Sequence, residues 1–414
     1  MKIYYIGTIC SDKTFNNITD KSKVKPSISA QVFEDSLLTG INENKNIEIS
    51  AHTFLTIASY PNGYKLFIPP RKEILKSGIS TQWYMTINFA FLKQWGYCLS
   101  AFFSLLYWLI KNSDEKDKVI FCCSIFSFIA RPVTFLAKIF KTETCVIVTD
   151  LTKFNFSLKK PTGMKKIFSN HFLNSQIKYQ SKFDKYILLT EYMKDELDVP
   201  DKPCLIIEGI VNKNLFVANK KYINLKKEKA VMYAGMLNKK HRIEMLIKGF
   251  MLTKGDYELW LFGSGDFERE IQEYAKNDKR IKFFGRVNRN VVLEYEHRAS
   301  LLVNIRDSKE EYTKFSFPSK TIEYMACGTP LLTTKLPGIP DEYYEYCYTL
   351  DDETVDGVNK SLENILSLPQ DELLTKGKEA MNFIFSNKIA GIQGNKIIEF
   401  LSVNRGGLYE NIAN

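Results

Sequence analysis

Short apolar runs alternate with amphipathic stretches through the second half of the chain. Each of the first three runs ends at a glycine, and the stretch after it carries apolar side chains at helical spacing. The strand patterns lie at residues 230–234, 257–262, 280–284, 301–305 and 331–334, and the helix patterns lie at 242–252, 266–276, 288–298 and 319–327. Asp266 is placed to cap the second of these helices. The alternation predicts a parallel sheet that is covered by helices on both faces.

The first half has a similar but less regular pattern. Strands are predicted at residues 3–6, 47–54, 119–123, 145–149 and 186–189. We therefore predict an α/β protein of two doubly wound domains, residues 1–208 and 209–388. Residues 389–414 have helical periodicity and are expected to pack back on the first domain. In such sheets, ligands bind beyond the carboxyl ends of the strands, so the loops at these ends are where chemistry is expected.

Residues 97–110, YCLSAFFSLLYWLI, are the strongest membrane candidate in the chain. The segment is shorter than the ~20 residues that span a bilayer. It could be a core helix of the first domain or a helix that rests on a membrane surface. We favour the core helix, because interfacial helices usually carry a charged face and this segment has none.

The composition is that of an ordinary globular protein, with 45% hydrophobic and 25% charged residues, which excludes a disordered chain or a small disulfide scaffold. The formal net charge is +10, and residues 1–210 carry +8 of it, from 27 basic and 19 acidic residues. A basic first half suggests an anionic partner, although lysines that serve solubility alone would give the same count. Only ten of the 57 basic residues are arginines, and no nucleic-acid-binding motif is visible. Both features argue against a nucleic-acid reader.

The eight cysteines form no CxxC pair, which argues against both a zinc site and a disulfide framework. Buried free thiols in a reducing cytosol fit their spacing best. The N-terminal apolar run lacks the length and the cleavage site of a signal peptide, so we expect a cytoplasmic protein.

The sequence FSFPSKTIEYMACGTP, at residues 315–330, combines a helix start with charged side chains. Pro318 and Ser319 begin the helix, and Lys320 lies in its first turn. Free amides and the helix dipole at this end favour a phosphate, to which Lys320 adds charge. Glu323 lies one turn further on, where its carboxylate could accept two ribose hydroxyls. Together these features predict a nucleotide site, while an ordinary helix cap is the simpler explanation for a Ser-Lys pair alone.

Several further strings occur in order with this one. They are YAGMLNKKHRIEMLIKGF at 233–250, LWLFGSGDFEREI at 259–271, IKFFGRV at 281–287 and LPGIPDEY at 336–343. Together with residues 315–334 they resemble family 4 glycosyltransferases of the GT-B fold, particularly bacterial enzymes of surface and capsular polysaccharide assembly. The first half resembles the same group more weakly, through residues 25–37, 148–151 and 188–193. The resemblance implies two Rossmann-like domains that face each other across a cleft.

This resemblance also implies a retaining transfer of a hexose from a UDP- or GDP-sugar, with the donor bound by the second domain. Gly235 would let the backbone approach the diphosphate. Lys239 or Lys240 would replace the usual basic residue of the family, which aligns with His241. The other expected donor contacts are Gly263, Gly285, Arg286 and Val287 at the nucleobase, and Ser319, Lys320 and Glu323 at the diphosphate and ribose. The glycines can equally be strand-end turns that the fold requires.

The catalytic residues expected from the resemblance are Asp150, Glu311 and Lys240. Many members of the family carry a glutamate where this chain has Phe315, so Glu310 or Glu311, just upstream, is expected to take over contacts with the transferred sugar, and Glu311 is the preferred candidate. Asp150 follows an apolar strand, where it either serves the acceptor side or caps a helix, because a buried unpaired carboxylate is costly.

On the acceptor side, Ser27 and Ser29 could present backbone amides to the ligand or simply cap the first helix. The expected acceptor is a glycan or a polyprenyl-diphosphate-linked oligosaccharide, and the basic first half would contact an anionic membrane peripherally, at the inner leaflet. No spacing of histidines and carboxylates suits a metal, so metal-independent chemistry is expected. No cofactor is expected besides the nucleotide sugar, which is a substrate.

Two other functions stay open at this point. Phe315 motivates a non-catalytic member of the same fold that binds and stabilises a partner transferase. A sugar-nucleotide 2-epimerase shares the two-domain fold, but the string GTICSDK after the first strand lacks the opening sequence of that family.

Overall fold

The structure is a computed structural model that describes residues 1–90, 92–155, 164–213, 216 and 226–403. The chain divides into two compact units. Unit 1 comprises Met1–Ile210 and the segment from Ala390 onward, and unit 2 comprises Val211–Ile389. These boundaries lie within two residues of the ones expected from the sequence. Each unit has its own sheet and its own hydrophobic core.

Unit 1 alternates strands and helices along most of its length. Its strands are β1 Lys2–Gly7, β2 Glu48–Thr53, β3 Phe67–Ile68, β4 Lys72–Ile74, β5 Ser80–Trp83, β6 Thr86–Ile87, β7 Lys118–Cys123, β8 Glu143–Val148, β9 Lys185–Leu188 and β10 Cys204–Ile206. Its helices are α1 Asp12–Lys21, α2 Ile28–Asn42, α3 Leu92–Lys111, α4 Ser127–Phe140, α5 Thr152–Asn155, α6 Met164–Gln180 and α7 Met193–Glu196. Eight strands form one sheet in the order β10-β9-β8-β7-β1-β2-β5-β4, parallel except for the β4–β5 pair. Strands β3 and β6 form a separate antiparallel pair.

The five strands predicted in the first half are all present, within two residues at each end. The sequence revealed them because strands such as β1, β7 and β8 are buried on both faces and form continuous apolar runs. Strands β3 to β6 and β10 escaped prediction, because two to four residues are too short to carry an alternating pattern. All eight cysteines are free thiols and six of them are buried, which confirms the prediction from their spacing.

Helix α14, Ala390–Ser402, belongs to unit 1 and packs on α2. The two helices approach closely at a glycine, since a Cβ on Gly40 would lie 1.9 Å from the Ala390 carbonyl oxygen. Lys185 is buried, and its Nζ donates to three carbonyl oxygens at the end of α14, those of Phe400, Leu401 and Val403. Lys185 thereby satisfies acceptors that a helix C-terminus leaves without intrahelical partners. Residues 404–414 of the predicted C-terminal segment lie outside the described residues.

Unit 2 is a regular α/β unit. Its strands are β11 Glu228–Met236, β12 Glu258–Ser264, β13 Ile281–Gly285, β14 Ala299–Asn304, β15 Leu331–Thr334 and β16 Tyr348–Leu350. Its helices are α8 Ile243–Met251, α9 Glu268–Asn277, α10 Arg289–Arg298, α11 Ser319–Ala326, α12 Val355–Leu366 and α13 Gln370–Asn387. The sheet is parallel throughout, in the order β13-β12-β11-β14-β15-β16.

Each strand and helix predicted for this half is present within two residues at each end. The predicted cap of α9 is wrong. The N-cap residue is Phe267, which makes no side-chain capping bond, and Glu268 accepts a hydrogen bond from the Gly265 backbone N–H at 2.8 Å. A glutamate in the first turn therefore accepts a backbone hydrogen bond at this end of the helix, and Asp266 does not cap it.

Helix α3 corrects the interpretation of residues 97–110 as a core helix. Its buried residues are Tyr97, Ala101, Leu105, Trp108 and Leu109. Its opposite face is also apolar but exposed, with Phe103 and Tyr107 at 64% and 69% exposure. The sequence could not separate these faces because both are hydrophobic. No helix in the described part of the chain is long and apolar enough to cross a membrane.

Candidate functional site

Helix α11 is attached to the two central strands of the unit 2 sheet. The Tyr324 hydroxyl accepts a hydrogen bond from the Ala234 backbone N–H at 2.7 Å and donates one to the Ala234 carbonyl oxygen at 3.1 Å. At the end of β14, the Asn304 side-chain amide donates to the Thr321 hydroxyl at 3.1 Å. Both contacts lie near the carboxyl ends of the strands. The predicted nucleotide helix is therefore fixed at the edge where ligands bind in such sheets.

The N-terminus of α11 has no side-chain cap. Pro318 occupies the N-cap position and supplies no capping hydrogen bond from its side chain. Ser319 is exposed, and Lys320 follows it in the first turn. The first amides of a helix have no intrahelical acceptors, and the helix dipole makes this end positive. This end of α11 is therefore suited to an anionic group such as a phosphate.

Lys320 and Glu323 form an ion pair that extends to two residues of α10. Lys320 Nζ lies 3.2 Å from Glu323 Oε2 and 3.6 Å from Glu296 Oε1. The Arg289 guanidinium lies 3.6 Å from Glu323 Oε1. Glu296 is fully buried, and its Oε2 accepts a hydrogen bond from the Cys327 thiol at 3.3 Å. Sequence reasoning missed Glu296 and Arg289, because only the fold brings their helix to α11.

The charges in this cluster shift one another's pKa values. Burial, and then the Glu323 charge, raise the pKa of Glu296 to about 7. Burial disfavours the Lys320 charge, but Glu323 and Glu296 outweigh it and raise the pKa of Lys320. Burial also disfavours the Glu323 charge, but Lys320 and Arg289 lower the pKa of Glu323. Near pH 7 the cluster therefore holds two cations, one carboxylate and a second carboxyl group that is partly protonated.

The backbone at the ends of β12 and β13 requires two of the predicted glycines. Gly263 adopts a φ of +127°, and a Cβ on it would lie 1.8 Å from the Gly235 carbonyl oxygen. Gly285 adopts a φ of +67°, a backbone conformation that residues other than glycine rarely adopt. Arg286 follows it and is exposed, and Val287 is half-buried. The strand ends therefore require these glycines structurally, and their contact with a nucleobase stays a prediction.

The turn after β11 separates the two predicted diphosphate lysines. Lys240 Nζ lies 3.9 Å from the centroid of the Tyr312 ring, in the segment that follows β14. Lys239 faces Phe267 instead, with its Nζ 6.0 Å from the ring centroid, and lines a surface depression of about 360 Å³ beside α8. Only Lys240 is thus directed to the segment that contains Glu311.

Glu311 is exposed and begins the 3₁₀ turn Glu311–Phe315. Phe315, the residue at which the sequence resemblance led us to expect a glutamate in many members of the family, ends this turn and is half-buried. The same segment is tied to the turn after β11 by an ion pair between Arg242 and Asp307. The structure therefore places two of the predicted catalytic residues, Lys240 and Glu311, on neighbouring loops of unit 2.

The predicted acceptor residues lie in unit 1. Asp150 lies two residues after the end of β8 and is exposed, and its carboxylate makes no hydrogen bond to another described residue. Ser27 occupies the N-cap position of α2 but makes no capping bond, and its hydroxyl lies 2.9 Å from that of Ser29. The expectation that these serines cap the first helix is wrong, because α1 precedes α2 and is capped by Ser11.

Two carboxylates that sequence reasoning missed hold the loop after β1. Glu34 is 2% exposed and accepts hydrogen bonds from the Tyr5 hydroxyl at 2.8 Å and the Thr8 backbone N–H at 2.9 Å, and burial raises its pKa. Glu73 has partners on several elements, namely Ser11, Thr14, Trp83 and Arg71. No motif marked either residue, because the partners come from separate segments. The carboxyl edge of the unit 1 sheet thus contains carboxylates that are satisfied largely by hydroxyl and N–H donors.

Comparisons with known proteins bear on unit 2 and on the fold as a whole. Residues 228–367, within unit 2, match the model of the family described as Glycosyl transferases group 1. This segment contains the α10–α11 cluster and the turn after β11. Among curated proteins, none matches the chain.

Solved structures match nearly the whole chain at low identity. Sucrose-phosphate synthase from Thermosynechococcus elongatus is 15% identical, with a TM-score of 0.64, over 97% of this chain and 99% of that one. HepE of Anabaena in complex with UDP and glucose is 13% identical, with a TM-score of 0.60 over the same shares. The lipopolysaccharide outer core galactosyltransferase WaaB is 14% identical, with a TM-score of 0.58, again over 97% and 99%. At these identities the likeness shows the fold, and it confirms the predicted GT-B class of two Rossmann-like α/β units.

Proposed function

We propose that this protein is a glycosyltransferase that moves a hexose from a nucleoside-diphosphate sugar, of the UDP or GDP type, to a hydroxyl group. The observation that carries the proposal is the position of Lys320 and Glu323 at the uncapped N-terminus of α11. The match of residues 228–367 to the glycosyltransferase group 1 family supports the reaction class. The complex of HepE with UDP and glucose, in the same fold, supports a UDP-sugar as the first donor to test.

Within the proposed site, the diphosphate and the ribose have separate partners. The first amides of α11 and the Lys320 ammonium would bind diphosphate oxygens. Glu323 would accept ribose hydroxyls, and the contact of its Oε1 with Arg289, at 3.6 Å, is too long to be a hydrogen bond that would compete with them. Glu296 is fully buried, so it would position Lys320 without touching the donor.

In the proposed reaction, the bond between the sugar C1 and the diphosphate oxygen breaks as the acceptor oxygen forms a bond to C1. The leaving diphosphate gains negative charge, which Lys320 and the α11 N-terminus would stabilise. A leaving-group oxygen would take the proton from the acceptor hydroxyl. We propose retention of configuration at C1, with no metal or further cofactor, since the cations of this chain can serve the leaving group.

The remaining predicted residues keep their proposed roles. Lys240 would add charge at the diphosphate, and Glu311 would contact the transferred sugar. Asp150, with Ser27 and Ser29, would serve the acceptor. The acceptor that we propose is a glycan or a polyprenyl-diphosphate-linked oligosaccharide of polysaccharide assembly in the cytoplasm. Nucleic acid is not a proposed partner.

A thermal-shift screen of UDP- and GDP-sugars tests the proposal. A true donor should raise the melting temperature by mass action, and slow hydrolysis of that donor should follow. Glu323→Gln should weaken its binding about tenfold, because the amide replaces a charged acceptor at the ribose. Glu379→Gln, an exposed carboxylate change on α13, is the matched control and should bind as the wild type. Binding that is unchanged by Glu323→Gln, or no response to any nucleotide sugar, would contradict the proposal.

The second candidate is a non-catalytic protein of the same fold that stabilises a partner transferase. Phe315 favours it, because a phenyl ring cannot hydrogen-bond a sugar hydroxyl where related enzymes have a carboxylate. This candidate predicts neither donor hydrolysis nor transfer to any acceptor by the isolated protein. Restored or enhanced donor hydrolysis in Phe315→Glu would show that the site is a catalytic one with an altered sugar contact.

A further inference from the structure

One face of unit 1 carries exposed apolar side chains in a continuous helical stripe. The exposed residues of α3 recur at spacings of three and four, which places them on one side of the helix. They are Leu92, Trp95, Leu99, Phe103, Tyr107 and Ile110, and each is more than half exposed. The opposite side of α3 contacts the core through residues such as Tyr97 and Leu105. The stripe is therefore hydrophobic surface that the described residues of unit 1 leave uncovered.

The stripe continues onto the neighbouring elements. The rings of Phe102 and Phe135 are stacked with their centroids 6.4 Å apart, and Phe135 and Ile139 of α4 are 58% and 57% exposed. On the other side, the Ser100 hydroxyl donates to the Met85 carbonyl oxygen at 2.9 Å. Three residues in and beside β6 are about half exposed, namely Met85, Ile87 and Phe89. We call the exposed residues of α3, α4 and β6 named in these two paragraphs the apolar face.

An exposed patch of this extent marks an interaction surface, because isolated apolar residues are normal on a protein surface but contiguous ones are not. Basic side chains lie on the same helices as this patch. Helices α3 and α4 contain no Asp or Glu. Arg131, Lys138 and Lys141 are exposed on α4 or at its end, and Lys111 is exposed at the end of α3. Basic groups beside aromatic and aliphatic side chains complement the charged headgroups and the acyl boundary of an anionic bilayer.

We propose that the apolar face is a docking surface for an anionic lipid bilayer, with Trp95, Phe103 and Tyr107 inserted at the headgroup boundary. Trp and Tyr suit this boundary because their rings have an apolar body and a polar edge. The contact lies on the surface of the bilayer and does not span it. Lysines on the rim bind lipid phosphates while the stripe buries its side chains.

The apolar face also extends to the carboxyl edge of the unit 1 sheet. At the start of α3, Lys93 Nζ donates to the Ile57 carbonyl oxygen at 2.6 Å, and the Tyr97 hydroxyl contacts the Leu55 backbone. Both partners lie shortly after the end of β2. A lipid-linked acceptor in the bilayer would thus be presented to the edge where an acceptor is expected. This last step rests on the proposed transferase function, whereas bilayer binding does not.

Tryptophan fluorescence offers a local test. Trp95 is 64% exposed, whereas Trp83, Trp108 and Trp260 are at most 8% exposed, and the chain has no other tryptophan. Vesicles of phosphatidylcholine with phosphatidylglycerol should therefore shift the emission of Trp95 to shorter wavelength. Trp95→Phe should lose that shift and still float with the vesicles. An emission spectrum of the wild type that vesicles leave unchanged would overturn the proposal.

Vesicle flotation tests the whole surface. Phe103→Ser combined with Tyr107→Ser should lower partition to the anionic vesicles about tenfold or more, since each lost ring removes apolar area from the bilayer contact. Lys138→Glu combined with Lys141→Glu should lower it at low salt and less at high salt. Leu252→Ser in unit 2, where the leucine is 54% exposed, is the matched control for loss of an exposed apolar side chain.

Thermal melting and nucleotide-sugar binding on the same samples separate this proposal from the transferase proposal. Vesicle binding without donor binding would support the surface and contradict the transferase. Donor binding without vesicle binding would do the reverse. A dimer that depends on protein concentration and is lost in Phe103→Ser with Tyr107→Ser, without any vesicle binding, would assign the apolar face to a second copy of the chain and overturn the bilayer.

Discussion

The carboxyl edges of the two sheets differ in the partners of their carboxylates. In unit 2, Lys320 and Arg289 face one full carboxylate and the partly protonated Glu296. In unit 1, Glu34 and Glu73 lie at the loop after β1. Although unit 1 is the more basic half of the sequence, its edge presents carboxylates, of which Glu73 is paired with Arg71 and Glu34 has a pKa raised by burial. The exposed cations of this half include those beside the apolar face. The net charge of a domain therefore does not predict the charge of its ligand, because a few side chains near the site determine the local electrostatic field.

The largest effect should come from removing the central cation of unit 2. Lys320→Met should weaken nucleotide-sugar binding about 100-fold, because the diphosphate loses its charged donor and two acidic side chains remain without their lysine. Isothermal calorimetry with the donor found in the thermal-shift screen measures the loss. Lys360→Met, which removes an exposed lysine of α12, is the matched control. A donor affinity within threefold of the wild type would show that Lys320 does not bind the diphosphate.

Glu34→Ala tests the edge of unit 1. The change leaves the buried Tyr5 hydroxyl and Thr8 amide without their acceptor and should cost about 2–3 kcal/mol of unfolding free energy. Chemical denaturation measures this loss, with the exposed Glu48→Ala as control. Nucleotide-sugar binding should be unchanged at temperatures where the variant is folded. A variant that loses donor binding before it loses stability would show that the two edges are not separable as described.

Glu296 should make the donor affinity of unit 2 depend on pH. Because its pKa is raised to about 7, it gains negative charge as the pH rises from about 6 to about 8, beside the lysine proposed to bind the diphosphate. Donor affinity should fall several-fold over that range. Glu296→Gln should flatten the profile, whereas Glu379→Gln, at an exposed carboxylate of α13, should leave it as in the wild type.

The same shift has a consequence for stability. The folded-state pKa of Glu296 lies above the ordinary value of 4.5, so the folded state binds the proton more tightly than the unfolded state. Its contribution to the unfolding free energy is therefore favourable at low pH and is lost as the pH rises from about 4.5 through about 7. Melting curves of wild type and Glu296→Gln should converge at low pH and separate at high pH. Parallel profiles would contradict the raised pKa.

Helix caps provide the smallest contrast between the units. Ser27→Ala in unit 1 should change the unfolding free energy by less than about 0.5 kcal/mol, because the Ser27 side chain makes no capping bond. Thr354→Ala in unit 2 should cost about 1 kcal/mol, because its hydroxyl accepts from the Gly357 amide at 3.0 Å. A larger loss for Ser27→Ala in acceptor turnover than in stability would support its proposed place on the acceptor side.

The elements that could be predicted share one physical property. Strands such as β7 and β12 are apolar runs buried on both faces, so the sequence alone predicts that they are buried. The same reasoning fails for helix α3, whose exposed stripe is apolar like its buried face, so the sequence could not predict which face is buried. The spacing of apolar residues distinguishes the buried face of a helix from the exposed face only where the exposed face carries polar side chains.

The candidate site divides in the same way. Lys320 and Glu323 could be found because they are three residues apart on one helix, so local geometry alone makes them neighbours. Glu296 and Arg289 could not, since both lie more than 20 residues from that helix start and meet it only when α10 and α11 pack. Their effect on charge and pKa depends on burial, which no motif records.

By itself, the sequence determined the α/β alternation, most strand and helix bounds of unit 2, the free thiols and the helix that begins at Ser319. These follow from the spacing of side chains along the chain and from local backbone preferences. Tertiary structure alone decided that Lys240 rather than Lys239 is directed toward Tyr312 and the turn of Glu311, that Glu296 loses its full charge beside Lys320, and that one apolar side of α3 stays exposed. Direction, desolvation and exposure are properties of neighbours in space, and those neighbours come from distant parts of the chain.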